Sequence, residues 1–191
     1  LVFDEIQAGF GRTGKWFGFE HYGVEPDLIC AGKGMTSCLP MSAVIGRGAV
    51  LALAEHGEMS STHTGNPLCC AATIANSEAI RGDGLLSNAA TLEPIARQAF
   101  EGLRQRFPGR VAAINGRGLV WGVYLLDPAT GDLDIQLARR VTARCLELGL
   151  LMLQTGRGTL KIAPPLCIAA DAFLEGVGVI EEALAECLAS D

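Results

Sequence analysis

The segment that most constrains the fold of this chain is residues 27–34, where an apolar run is followed by Gly-Lys-Gly. An apolar run that ends in glycine is typical of a buried strand followed by a sharp turn, so we predict a strand over 27–31. Lys33 then lies at the edge of an apolar site, where the ammonium form is costly and the neutral, nucleophilic amine is favoured. A surface lysine in an ordinary turn is the alternative on local sequence.

The composition is that of a globular protein of one or two domains. The 191 residues are 49% hydrophobic and 19% charged, and the net charge is −6. A negative balance argues against a nucleic-acid or anionic-membrane partner. Residues 59–77 carry no formal charge, but their hydroxyl groups, Gly65 and Pro67 are not those of a membrane span.

The cysteines indicate the redox compartment of the protein, and the first residue indicates that the chain is part of a longer one. Seven cysteines, an odd number with no CxxC pair, predict reduced and mostly buried thiols of a cytoplasmic protein, and no metal site. Residue 1 is Leu, and a buried strand begins there at once. We therefore expect the chain to be the C-terminal part of a longer polypeptide.

The first strand is predicted over residues 1–6 and ends in the acidic pair Asp4-Glu5. Acids at the carboxyl end of a parallel strand point into the ligand crevice of an open α/β sheet, although a helix-capping Asp is equally compatible.

Residues 9–16 resemble two nucleotide-binding motifs without fulfilling either. Gly9, Gly11 and Gly14 match GxGxxG, and Gly14-Lys15 matches the end of a Walker A loop. A Walker A loop needs Ser or Thr after the lysine, where this chain has Trp16, and the dinucleotide motif must open a helix. A glycine-rich turn with aromatic anchors is the better interpretation.

A hydroxyl-rich loop over 60–65 precedes a predicted helix over 68–80, with Asn66 as N-cap and Pro67 at the first helical position. Such a loop at a helix N-terminus favours phosphate, although an ordinary capped helix is the simpler interpretation. Before it we predict a strand over 39–46 beside the lysine strand, and a helix over 49–56.

The second half of the chain predicts a small α+β unit. A long amphipathic helix over 85–107 connects two domains. After it we predict strands over 111–115, 119–126, 150–154 and 159–163, and helices over 134–148 and 171–188.

Taken in order, these segments resemble the class III, or ω-type, pyridoxal-phosphate aminotransferases. The matching segments are LVFDEIQAGFGRTG at 1–14, PDLICAGKG at 26–34, Leu39-Pro40, STHTGNP at 61–67 and APPL at 163–166. The first two are the most specific at this separation. The resemblance implies an α/β fold: residues 1–85 end a fold type I large domain, a mostly parallel sheet with helices, and residues 86–191 form a small C-terminal α+β domain.

The resemblance also implies roles for individual residues. Lys33 looks like the lysine that forms a Schiff base with pyridoxal 5'-phosphate and then moves the proton. Asp4 looks like the carboxylate that pairs with the pyridine nitrogen, and Gln7 like the contact to the ring hydroxyl oxygen. Thr62 looks like the hydroxyl that binds the phosphate, usually that of the neighbouring subunit, which implies a homodimer with shared active sites.

One position departs from the family. Many members have an arginine three residues before the first proline of the Pro-Pro pair, which grips the substrate carboxylate, and this chain has Lys161 there. An ammonium is a point charge, whereas a guanidinium forms two parallel bonds. Two interpretations of Lys161 therefore stay open: it recognises the substrate carboxylate, or it is a surface charge on an edge strand.

Three functions remain at this stage. The first is a transaminase that moves an amino group from an amine or amino acid to a keto acid or aldehyde. The second keeps the fold and cofactor but is an aminomutase, racemase or decarboxylase. The third is an inactive fragment, because the family's glycine-rich phosphate loop, its ring-stacking aromatic residue and a further acid belong to an N-terminal half that this chain does not contain.

Overall fold

The computed structural model describes residues 1–189, and along them seven strands and five α-helices are found. The chain divides after Ala89 into two units. This division falls within a long helix, Leu85–Arg106 (α3), whose start is where the sequence placed the domain border. None of the helices within 1–189 has the length and hydrophobicity needed to cross a bilayer.

The first unit contains a three-stranded sheet formed by β1 (Val2–Asp4), β2 (Leu28–Ala31) and β3 (Ala43–Gly46), in that order. β1 and β2 are parallel, with Asp4 opposite Cys30, whereas β3 runs antiparallel to β2. The strands predicted over 1–6 and 27–31 are thus present, although β1 has only three residues and its predicted burial was wrong, because Leu1 and Val2 are exposed. The third strand returns beside the lysine strand as predicted. It begins at residue 43 rather than 39.

Two α-helices follow the sheet, α1 (Gly48–Leu51) and α2 (Pro67–Gly82). The side chain of Asn66 accepts hydrogen bonds from the amides of Leu68 and Cys69, at 3.0 and 3.4 Å, so the predicted N-cap is confirmed. The helix predicted over 49–56 is much shorter than expected. At its C-terminal end the backbone hydrogen bonds join residues three apart, as in a 3-10 helix, and the chain then enters turns.

The second unit is a four-stranded antiparallel sheet packed with helices. Its strand order is β4-β5-β7-β6. After α3 come β4 (Val111–Arg117), β5 (Val120–Leu125), α4 (Ile135–Glu147), β6 (Leu153–Thr155), β7 (Thr159–Ile162) and α5 (Ala170–Ala189). The predicted α+β order of this half is confirmed, with β6 displaced toward the C-terminus.

The core of the second unit is apolar and aromatic. Trp121 and Phe100 are buried with their ring centroids 5.5 Å apart, and Phe173 meets Phe100 edge-on at 5.8 Å. The indole N–H of Trp121 donates to the carbonyl of Gly118 at 2.8 Å, so the one polar atom of this ring is satisfied. Side chains from α3, α4, α5 and the sheet complete the core.

The cysteines are all free thiols, but the expectation that most are buried was wrong. Cys145 alone is buried, Cys38 and Cys167 are exposed, and the other four are half-buried. Small thiols tolerate partial exposure because their burial contributes less than that of a large apolar side chain. Burial raises the pKa of the Cys145 thiol to about 11, which keeps that thiol protonated and unreactive.

Candidate active site

Asp4 and Lys33 lie at the same edge of the first sheet. Asp4 is the last residue of β1 and pairs with Cys30 in the parallel strand β2, and Lys33 follows three residues after Cys30. Asp4 thus lies at the carboxyl end of one strand, and Lys33 lies two residues beyond the carboxyl end of its parallel neighbour. This edge is where open α/β sheets bind ligands.

The turn that carries Lys33 is held in an uncommon conformation. Lys33 has a φ of +42°, in the left-handed region that side chains other than glycine rarely adopt. The amide of Met35 donates to the carbonyl of Gly32 at 3.0 Å. At Gly34 an added Cβ would lie 3.3 Å from the Cβ of Phe10, a tight contact that a larger residue could adopt only if Phe10 moved by a few tenths of an ångström.

Asn76 of α2 clamps this turn, and the sequence did not suggest it. Its Nδ2 donates to the carbonyl of Gly34 at 2.7 Å and to that of Met35 at 3.3 Å. Its Oδ1 accepts from the hydroxyl of Ser37 at 2.7 Å. An amide in the middle of a helix carries no local signal of this role, because its partners lie about forty residues away in sequence.

The side chains of Asp4 and Lys33 are both exposed and make few polar contacts within the described residues. Oδ1 of Asp4 accepts from the amide of Ile6 at 3.0 Å. Within residues 1–189 the Lys33 amine has no hydrogen bond or ion pair. Within the described residues, the Lys33 side chain therefore lies in solvent rather than in the apolar surroundings that the sequence predicted.

Glu5 behaves differently from Asp4, although the two are adjacent. Glu5 is only 1% exposed, and its carboxylate accepts hydrogen bonds from the amides of Gly18 and Phe19 at 2.9 and 2.8 Å. The interpretation of Asp4-Glu5 as a pair facing one crevice was wrong. The alternation of side chains along an extended chain, which puts neighbours on opposite faces, was the signal that could have separated them.

Residues 9–16 form successive turns rather than a nucleotide loop. A short 3-10 helix, Gly18–His21, follows them, so no α-helix opens at the glycines. Phe17 stacks on Phe19 with a centroid distance of 5.8 Å, and Phe10 meets Phe17 edge-on at 5.6 Å. The predicted glycine-rich turn with aromatic anchors is confirmed.

The other two predicted cofactor contacts also lie in the first unit. Gln7 is half-buried in the turn after β1 and makes a contact within the chain. Thr62 lies in the exposed loop before α2, and within residues 1–189 its hydroxyl has no hydrogen-bond partner. The neighbouring hydroxyls of Ser61 and Thr64 instead bond to each other at 3.0 Å. Thr62 is thus presented to solvent.

Lys161 belongs to the second unit and lies on β7, between Gly122 of β5 and Leu153 of β6. The alternative of a charge on an edge strand was therefore wrong, because β7 is an inner strand. Lys161 lines a cavity of about 390 Å³ whose other walls are apolar side chains, Phe173 and Ile180 among them. Within residues 1–189, no cluster of three or more His, Cys, Asp or Glu side chains is placed to hold a metal ion.

Comparison with known proteins identifies the family. The model of the family Aminotransferase class-III matches residues 1–184. The chain belongs to the class-III aminotransferases. The resemblance seen in the sequence is thereby confirmed.

Individual relatives match almost all of this chain. The chain is 33% identical to the 4-aminobutyrate aminotransferase of Mycobacterium leprae and 35% identical to the leucine/methionine racemase of Thermococcus litoralis. Each match covers 97% of this chain and 42% of the relative. An S-selective transaminase from Arthrobacter sp. superposes with a TM-score of 0.89 at 28% identity, over 100% of this chain and 45% of that structure. The chain thus spans less than half the length of these relatives.

Proposed function

We propose that the protein containing this chain is a pyridoxal-phosphate-dependent aminotransferase, which moves an amino group from an amine or amino acid to a keto acid or aldehyde. The observation that carries the proposal is the juxtaposition of Asp4 and Lys33 at the carboxyl ends of two neighbouring parallel strands. Family membership over residues 1–184 supports it.

The groups at this edge fit the cofactor. Within residues 1–189, one carboxylate oxygen of Asp4 has no hydrogen-bond partner, and the Lys33 amine has no hydrogen bond or ion pair. A carboxylate suits a protonated ring nitrogen, and an amine suits an aldehyde carbon. When bound, pyridoxal phosphate supplies an electron sink for charge that develops on the substrate carbon.

Each residue of the set has one proposed task. The Lys33 amine holds the cofactor covalently and afterwards carries the proton at the substrate carbon as a general acid and base. Asp4 accepts a hydrogen bond from the ring nitrogen and keeps that nitrogen protonated. Gln7 orients the ring through its hydroxyl oxygen, and the exposed hydroxyl of Thr62 binds phosphate in a neighbouring subunit.

The layout of the complete protein is part of the proposal. We take residues 1–85 as the end of a fold type I large domain and residues 86–191 as a small C-terminal α+β domain. Because Thr62 presents its hydroxyl away from its own chain, we propose a homodimer with shared sites. Free thiols at all seven cysteines suit a cytoplasmic protein.

Lys161 is the proposed determinant of carboxylate recognition. A single ammonium at the wall of an apolar cavity binds a carboxylate as a point charge, without the planar two-bond geometry of a guanidinium. The proposed consequence is a weaker preference for one orientation of a substrate carboxylate than an arginine would impose.

The proposal is tested by Lys33→Ala in the complete protein. The variant should lose the visible absorbance of lysine-bound cofactor, the bond that borohydride traps and all measurable turnover. Lys15→Ala is the matched control, because Lys15 is an exposed lysine of the same unit. Within residues 1–189, its ammonium group bonds only the carbonyl of Glu20, at 3.0 Å. Borohydride-trapped cofactor on a different lysine of the Lys33→Ala protein would refute the assignment.

A racemase is the second candidate, since a leucine/methionine racemase matches 97% of this chain. Aminomutase and decarboxylase chemistry share the same first contacts, so Asp4 and Lys33 do not distinguish these reactions. One amine donor added without an acceptor does. A transaminase leaves the cofactor in its amine form, whereas a racemase returns it as the aldehyde and inverts the donor.

A further inference from the structure

Glu5 is a buried carboxylate that the proposed chemistry does not use. Its two oxygens accept the amide N–H groups of Gly18 and Phe19 at 2.9 and 2.8 Å, and the residue is 1% exposed. A buried carboxylate is costly unless such donors satisfy it. These bonds join the end of the first strand to a loop that returns thirteen residues later.

The backbone of Glu5 is engaged at both of its polar groups. Its N–H donates to the carbonyl of Cys30 at 2.9 Å, which extends the pairing of β1 with β2. Its carbonyl accepts from the amide of Gly9 at 2.8 Å. A Cβ at residue 9 would lie 2.8 Å from that carbonyl oxygen, so the turn closes tightly onto Glu5. One residue thus joins two strands and the loop.

The segment that Glu5 anchors also packs on the turn of Lys33. Ile6 approaches Gly32, with its Cγ2 3.6 Å from the position of an added Cβ, and Phe10 packs against Gly34. These two glycines flank Lys33. The contacts form a continuous series from the Glu5 carboxylate, through its loop, to both sides of the lysine.

We infer that Glu5 is a positioning residue, which sets the relative placement of Asp4 and Lys33 by clamping the loop of residues 9–19 to the end of β1. The inference rests on the proposed function, because it concerns the same two groups. Glu5 touches neither cofactor nor substrate in this account and acts through the backbone and through Ile6 and Phe10.

The clamp makes Glu5→Gln an informative change. Glutamine has nearly the same shape, but it replaces one acceptor oxygen with an N–H₂ group that faces an amide donor. One of the two bonds is then lost and a buried donor is left unsatisfied. Glu5→Asp keeps the charge and both oxygens on a side chain that is shorter by one methylene.

The experiment measures the dissociation constant for pyridoxal phosphate in the complete protein, by titrating the cofactor-free form and following the absorbance of lysine-bound cofactor. Glu5→Gln should raise this constant and lower kcat by about 10- to 100-fold each, as expected when reacting groups are displaced by about 1 Å. The dissociation constant and the kcat of Glu5→Asp should lie between those of Glu5→Gln and the wild type.

Two control variants separate positioning from general stability. Glu20→Gln removes a carboxylate that directly follows this loop and that, within residues 1–189, accepts only the amide of Phe17, at 2.7 Å. It should change the constant by less than about twofold. Val141→Ala opens a cavity in the second unit, where Val141 is fully buried. It should lower Tm without changing the constant.

The inference is overturned if Glu5→Gln weakens cofactor binding no more than Val141→Ala does at a similar loss of Tm. If Glu5→Gln does not fold, Glu5→Asp decides, and an unchanged constant in that variant overturns the inference. Failure of the proposed function has a different signature, because there Lys33→Ala itself would retain trapped cofactor.

Discussion

The two units of this chain bury different kinds of side chain. In the first unit the buried residues include the polar side chains of Glu5, Thr13 and Thr36, beside a few apolar ones such as Phe10 and Met35. In the second unit the buried residues are nearly all apolar, and Trp121, Phe100, Leu103, Leu125, Leu137 and Leu160 are almost completely inaccessible.

This difference separates the interactions that position the candidate site from those that stabilise the fold. Directional bonds to backbone groups hold the first unit, in which Glu5 and Asn76 fasten the segments that carry Asp4 and Lys33. Close packing and the burial of apolar surface stabilise the second unit, because its helices cover one continuous core. Substitutions of Asp4 and Lys33, and of the residues that fasten their segments, should therefore affect chemistry more than stability, and substitutions in the apolar core of the second unit should do the reverse.

The largest effect is expected from Phe100→Ala in the second unit. Phe100 is fully buried and touches the rings of both Trp121 and Phe173, so its removal leaves a large cavity. The free energy of unfolding should fall by about 3–5 kcal/mol in denaturant titrations. The folded fraction should still bind pyridoxal phosphate with wild-type affinity. A loss of affinity at full folding would break the proposed separation of the units.

A somewhat smaller effect, on activity alone, is expected from Asp4→Asn. The exposed Asp4 side chain contributes little packing, but a neutral amide does not hold a proton on the ring nitrogen. Turnover should fall by about 100- to 1000-fold, a loss typical of removing one charged or polar group aimed at developing charge. Some cofactor should remain bound, and Tm should stay close to that of the wild type. Unchanged turnover would contradict the role assigned to Asp4.

The smallest effect is expected from Asn66→Ala, at the start of α2. This change removes the acceptor for the amides of Leu68 and Cys69 and should cost about 1 kcal/mol of unfolding free energy. Asn66→Asp, which keeps an acceptor, is the matched control. Because α2 carries Asn76, a parallel small loss of cofactor affinity would show that this helix contributes to the lysine turn, whereas none would confine its role to stability.

Much of the fold followed from local sequence. The apolar run before Gly32, the Asn66-Pro67 start of α2 and the periodic apolar face of α4 each predicted an element that is present. These predictions succeeded because capping, turn formation and amphipathic periodicity depend on residues within one or two turns of each other. Element ends were less accurate, as for the short α1, because tertiary packing decides where a marginal helix stops.

Only part of the candidate site could be predicted from local sequence. Asp4 and Lys33 stood out because each follows an apolar run in a segment that resembles a known family. Glu5 was grouped with Asp4, and Asn76 was not noticed, since their partners are thirteen or more residues away. The place of Lys161 on an inner strand also depends on the pairing of β7 with β5 and β6, which no local pattern encodes.

Residue order alone determined the family of this chain, most of its strands and helices, and the candidate pair of amine and carboxylate, because these reside in short segments with their own chemistry. Tertiary structure alone decided which of the neighbours Asp4 and Glu5 is buried, and that a distant asparagine holds the lysine turn. The physical reason is that a hydrogen bond or a buried face requires two segments to meet, and their meeting is a property of the folded chain as a whole.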